Sequence, residues 1–270
     1  MPMYKTTLFA ILLLLLPGIT IAQDANDAFL HGYEHTNVVY FNSKTRQLRS
    51  FHTYTLQKEN DPGRQRYRLT TFGTGDFDTF SYIDLATSAT LEVRNGIVHT
   101  LYTEYIAKRK NGKLLQTHTK KFDYDKKTIT WEAYNSKGKL LKSIIFPLKG
   151  ITTDDISLVH FLKSFITEQK KQKTENFYFI TDEPRLYKLR IKVLPRETLR
   201  TPLGKKEALH LRLTIDAGFL DNLLGSLAPH IDVWFETKPP YDWLQYKGQE
   251  TGMCSTPVIV YITRRLFQIE

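Results

Sequence analysis

The chain of 270 residues contains one cysteine, Cys254, so no internal disulfide can hold it together, and its core must suffice even in an oxidising compartment. Glycine and proline number 14 and 11 and gather nowhere. With no Gly-, Ser- or Pro-rich tract and no internal repeat, nothing divides the chain into separate domains. Long apolar runs are also missing: the one candidate, Leu8 to Leu16, is about half the ~20 residues that span a bilayer as a helix. There is no G-x-S-x-G, no phosphate-binding glycine loop and no Cys or His cluster with metal spacing, which removes the usual motif-based grounds for an enzyme.

The apolar run fits another role. Lys5 precedes "LFAILLLLL", and Pro17 and Gly18 lead into "TIA"; these are the three parts of a secretory signal over residues 1–22, with cleavage expected after Ala22. No cysteine follows the run, so a lipoprotein signal is not expected. Residues 23–270 are expected as one soluble domain, periplasmic or secreted. Lysine and arginine number 38 against 28 acidic residues, and loss of Lys5 with the signal leaves a net +9. Outside the cytoplasm such a surface meets anionic lipid head groups, lipopolysaccharide or acidic polysaccharides, not nucleic acid.

Material for a core is plentiful, with 41% apolar residues that include 16 Phe, 15 Tyr and 3 Trp, since each buried aromatic removes roughly 150 to 250 Å² from water. Asn95-Gly96 and Asn111-Gly112 each separate β-branched and aromatic runs, and both predict tight hairpins with type I′ turns. Further breaks fall at "NSKT", "NDPG", "DYDKK" and "NSKGK", so the first half reads as an antiparallel meander. Between breaks the period is near 2: "TITWEAY" sets Ile129, Trp131 and Ala133 on one face. Long twisted strands of this kind curl rather than stay flat.

One segment breaks the pattern. In "TDDISLVHFLKSFITEQKKQK" the apolar residues Ile156, Val159, Leu162, Phe165 and Ile166, helped by Leu158 and Phe161, recur at three and four, which predicts an amphipathic helix. Asp154 is placed to cap its start, and Lys170, Lys171 and Lys173 suit its end. Strands resume at "ENFYFI", "LYKLRIKVL" and "EALHLRLTI", a short helical turn is expected around "GFLDNLLGSLAPH", and "IDVWFET" and "DWLQYK" follow. The fold class is thus mainly β: a long curved antiparallel sheet with one inserted amphipathic helix and a short helical turn.

A long meander, then "DISLVHFLKSF", "TPLGKKEALHLRL" and the short strand "DVWFE" together resemble the exported bacterial family known as domain of unknown function 3108. That family is similar in architecture to the periplasmic lipoprotein carriers (LolA- and LolB-like). The resemblance implies an open, unclosed barrel with helices on its concave side and a hydrophobic cavity able to hold acyl chains, and it names no catalytic residue.

Several residues invite sharper readings. "HGYEH" (His31 to His35) has the H-x-x-E-H spacing of one class of zinc peptidases, but Gly32 interrupts it and "TNVVYF" predicts that Tyr33 to Phe41 begins the first strand. On a strand His31 and His35 stand about 13 Å apart, too far for one ion. No metal site is therefore assigned. Cys254 lacks the strand-to-helix turn that would activate a thiolate. Asp76 and Asp78, after Gly73 and Gly75, read as a turn or bulge, and Asp154 with Asp155 as a helix start, rather than as glycosidase carboxylates.

The helix carries the functional expectation: Val159, Leu162, Phe165 and Ile166, with Trp131 and Trp234, are assigned as the ligand-lining set. The function expected is non-enzymatic, without cofactor: binding or carrying a hydrophobic or amphipathic, lipid-like molecule, its anionic end met by the basic surface. The alternative is a cell-envelope interaction protein that fills its own half-barrel and binds a protein or an acidic polysaccharide.

Overall fold

A computed structural model of the chain describes residues 30–77, 80–168, 174–216, 230–249 and 256–267. The turn residues of the first half separate eight strands: β1 (Tyr33–Asn42), β2 (Leu48–Lys58), β3 (Gln65–Phe77), β4 (Phe80–Arg94), β5 (Ile97–Arg109), β6 (Leu114–Asp123), β7 (Thr128–Asn135) and β8 (Leu140–Pro147). After a three-residue strand, β9 (Thr152–Asp154), comes the helix α1 (Leu158–Glu168). The second half comprises β10 (Thr174–Ile180), β11 (Leu186–Thr201), β12 (Gly204–Ile215), β13 (His230–Glu236), β14 (Trp243–Gln249) and β15 (Pro257–Phe267).

All of these strands join one sheet, in the order β8-β7-β6-β5-β4-β3-β2-β1-β15-β14-β13-β12-β11-β10-β9. Neighbours are antiparallel except β9 and β10. The first and last strands pair in the middle, and β8 and β9 are the edges, not hydrogen-bonded to each other. The barrel is therefore open, as expected. Side chains bridge its gap: Phe122 and Ile129 from one half pack with Ile180 from the other.

Hairpin chemistry follows the sequence with one correction. Asn95 and Gly96 both take positive φ, 51° and 74°, the type I′ turn expected between β4 and β5. At the second Asn-Gly pair only Gly112 does, at φ 78°, and the Arg109 carbonyl accepts from Gly112 N–H at 2.8 Å while Arg109 N–H donates to Lys113 O at 2.9 Å. The loop is thus three residues, a type I turn closed by a glycine bulge, because Lys110 lengthens it by one. The register of β3 shifts between Gly75 and Phe77, so Asp76 sits in a bulge, as read. Asp78, Cys254, the signal segment 1–22, Lys170, Lys171, Lys173 and the expected helical turn at 217–229 lie outside the described residues.

The helix starts later than expected. Asp154 belongs to β9 and is paired with Ile180, so its backbone cannot also enter a helix; its Oδ1 instead accepts from Ser157 N–H at 3.0 Å and caps the turn leading in. Leu158, Phe161, Leu162 and Phe165 are buried in a cluster with Phe177, Val233, Phe235 and Val260, worth roughly 1.5 to 3 kcal/mol for each large side chain. Ser164 Oγ accepts from Val98 N–H of β5 at 3.1 Å. Touching both halves of the sheet, α1 lies inside its curve. Its polar side is enclosed too: His160, Lys163 and Ser164 are all buried, where an amphipathic reading expects solvent.

Candidate functional site

Cross-strand register builds one wall of a cavity. Tyr54, Thr71, Thr87 and Tyr105 are directly paired across β2 to β5, so their side chains share one face. Thr71 and Thr87 join hydroxyls at 2.5 Å, and Tyr54 shares a 2.7 Å hydrogen bond with Tyr40. A second paired row, Tyr40, Val260 and Tyr246, supplies the adjoining wall from β1, β15 and β14. Trp243 meets Tyr54 edge-on at 6.3 Å. Asp155, Ile156, Leu158 and Val159 at the helix entry, and Phe179, close the other side around a partly open space of about 150 Å³.

Polar groups are interspersed in this lining. His52 is buried with Nε2 3.0 Å from Ser50 Oγ, and burial pushes its imidazole down to about 3, so it is neutral. Burial likewise raises the phenol of Tyr54 to about 12. Charge is confined to one end, where Asp155 and Asp182 face the cavity.

That end is built around Lys120. Its side chain, 2% exposed, reaches inward from β6 to Asp155 Oδ1 at 2.5 Å, Asp182 Oδ1 at 2.8 Å and Asp154 Oδ2 at 3.5 Å. Burial alone would lower the lysine, but the three carboxyls hold it well above its ordinary value. Burial, followed by the nearness of Asp182, pushes Asp155 well above the carboxylate range. Asp182 is held low despite burial, by Lys120 and by a hydrogen bond from Asp155. The two neighbouring carboxyls are thus pushed apart, Asp155 towards its neutral form and Asp182 towards its charged form. The cluster also ties β6, near one edge of the sheet, to β9 and the turn after β10 at the other.

A second buried cluster collects part of the "HGYEH" segment. His31, Glu34 and Asp242 offer ligand atoms within 4.8 Å of one another. Lys163 of α1 already donates to Asp242 Oδ1 at 2.6 Å, and Arg265 reaches Glu34 at 3.2 Å and Asp242 at 3.5 Å. Two cations thus balance two carboxylates, and the group anchors the helix. His35 is elsewhere, on β1, 3.1 Å from Thr55 Oγ1.

Of the assigned ligand-lining residues, Val159 borders the cavity. Leu162 and Ile166 pack in or against the helix core, and Phe165 edges a separate void of about 10 Å³ beside Phe177 and Ile191. Trp131 faces inward but near the sheet edge, 5.2 Å from His118. Trp234 alternates with core residues Val233 and Phe235, so it lies on the other face, stacked 4.4 Å from His210 with its Nε1 donating to Glu197 at 2.6 Å. The tyrosines, Trp243 and the Lys120 cluster were not assigned. Their only sequence signal is aromatic residues at alternate positions, and cross-strand pairing decides which of those meet.

Fold and site together define an unclosed antiparallel β-barrel with an internal helix and an aromatic cavity. A family profile described as protein of unknown function (DUF3108) matches residues 99–242, and the chain belongs to that family. Among solved structures, a β-barrel-like protein of domain of unknown function DUF1849 from Brucella abortus aligns over 90% of this chain and 100% of its own, with TM-score 0.52 and 9% identity. It shares the fold. Two others, a protein of Parabacteroides distasonis provisionally described as a lipoprotein and one of Bacteroides fragilis with a YmcC-like fold, each align over 88% of this chain, and over 97% and 99% of their own, at 8% identity and TM-score 0.33. No curated protein matches the chain.

Proposed function

We propose that this protein is a non-enzymatic binding or carrier protein of the cell envelope that holds the apolar part of an amphipathic, lipid-like molecule in its half-barrel. The observation that carries the reading is the partly open cavity of about 150 Å³, whose wall is largely tyrosine, tryptophan and aliphatic side chains with polar groups among them. Cavities of about that volume hold a benzene ring, so this one takes a ring or a short stretch of acyl chain while the rest of the ligand extends through the opening. The signal-like segment at residues 1–22 supports export.

Displacement of the neutral fluorescent probe N-phenyl-1-naphthylamine tests it. The protein should bind the probe at micromolar concentration, and Val159→Trp, which fills the cavity, should abolish binding in a folded variant. Absence of binding by the unaltered protein, or binding unchanged in the variant, overturns the carrier reading.

One observation favours the envelope interaction alternative. Edge strand β8 exposes Leu141 and Ile145, at 64% and 68%, and an exposed apolar edge invites strand addition by another chain. Retention of a specific partner by the protein but not by an Ile145→Lys variant would support it.

A further inference from the structure

We infer that the polar end of the cavity selects a cationic group, so that the ligand is an amphiphile bearing an ammonium rather than a carboxylate or phosphate. This rests on the cavity being the binding site, and it concerns which chemistry enters it.

The inference begins with what the cavity does not offer. Among the described residues that line it there is no lysine or arginine, and its histidine, His52, is neutral because burial holds its ring down to about 3. The one nearby ammonium, Lys120, is already enclosed by carboxyl groups, with Asp155 at 2.5 Å, Asp182 at 2.8 Å and Asp154 at 3.5 Å. An anion entering here finds no counter-charge.

What the cavity does offer suits a cation. Three carboxyl groups face one ammonium, so even with Asp155 neutral the cluster keeps a net negative charge. Asp155 lies within the barrel, yet its side chain is 32% exposed, because it fronts the cavity. Gln249, on the same wall, has a buried Oε1 that meets no hydrogen-bond donor among the described residues, a second acceptor suited to an N–H. The rings of Tyr54, Tyr105, Tyr246 and Trp243 complete the lining, and aromatic faces attract ammonium groups, the more so where water is excluded. The formal charge of the whole chain, +10, acts in the opposite sense, drawing anions to the outer surface. A preference for cations therefore has to arise inside.

Decylammonium, decanol and decanoate share one tail and differ at the head, and their power to displace N-phenyl-1-naphthylamine at neutral pH decides the matter. Decylammonium should displace the probe at a concentration about tenfold lower than decanoate, a difference of about 1.4 kcal/mol. The double variant Asp155→Asn/Asp182→Asn, in which Asp154 alone is left to balance Lys120, should bring that ratio towards one. Equal or stronger displacement by decanoate overturns the inference and leaves the carrier function standing. Failure of all three, or of the probe itself to bind, overturns the carrier function instead. If that variant fails to fold, the ranking of the three amphiphiles on the unaltered protein still decides.

Discussion

The imidazole of His52 lies directly on the bare backbone of Gly73 in the paired strand: a Cβ at residue 73 would come within 2.4 Å of the ring's Cε1 and Nδ1. The missing side chain gives the histidine its place in the cavity wall. Gly73→Ala must displace the ring or spread the strands, and overpacking of this kind costs about 1 to 3 kcal/mol. Denaturant unfolding should show that loss, and weaker probe binding should accompany it.

Acid should weaken the fold through buried imidazoles. Burial depresses His52 to about 3, and burial also depresses His160 to about 4, where Glu34, Lys163, Arg265 and Asp242 surround it. The unfolded chain takes up these protons near pH 6.5 and the folded chain refuses them, so stability present above that pH is lost as it falls towards 4 and 3. Asp155, pushed upward, titrates with the opposite sign over part of the window. The informative quantity is therefore the difference between the protein and His52→Gln, whose stability should fall less steeply between pH 6.5 and 4.

Lys120→Met leaves three buried or half-buried carboxyls without their cation, and breaking such a network costs about 3 to 5 kcal/mol. Unfolding measured at pH 7 should show this cost in full. At pH 4, where protonation relieves the carboxyls, the difference from the unaltered protein should be smaller; an equal cost at both values would point to lost packing instead.

Stability and binding should separate along the helix. Phe165→Ala removes a ring 6% exposed in the core and should cost about 3 to 5 kcal/mol, yet leave probe affinity in the folded protein within about twofold, since it does not touch the main cavity. Val159→Trp should do the reverse.

The fold is legible where local chemistry decides it. Asn95-Gly96, the alternation of Ile129, Trp131 and Ala133, and the three-to-four spacing from Leu158 to Phe165 each specify their element. The strand Pro257–Phe267 carries the same signal in Val258, Val260 and Ile262 at alternate positions. The site is less legible because it is made by pairing. Tyr54, Thr71, Thr87 and Tyr105 span four strands, and only their register makes them neighbours. Lys163 and His160 read as the wet side of a helix, and nothing local reveals that Asp242, the residue before β14, waits for Lys163.

The pairing of β1 with β15 sets Glu34 beside Phe267, whereas the gap in the sheet lies between β8 and β9, mid-chain. Chain order and spatial order therefore disagree in one respect only: the seam of the polypeptide and the seam of the barrel are in different places. Joining Phe267 to Tyr33 by a short turn and opening the backbone at Gly150 would bring them into coincidence, so that every strand meets its neighbour in the order of synthesis. Such a permuted chain would exchange its most distant pairing for a hairpin, and by the dependence of folding speed on sequence separation it should fold faster. In the native order the middle of the sheet waits for the last strand to arrive, so the emerging chain has no finished cavity until nearly all of it is present.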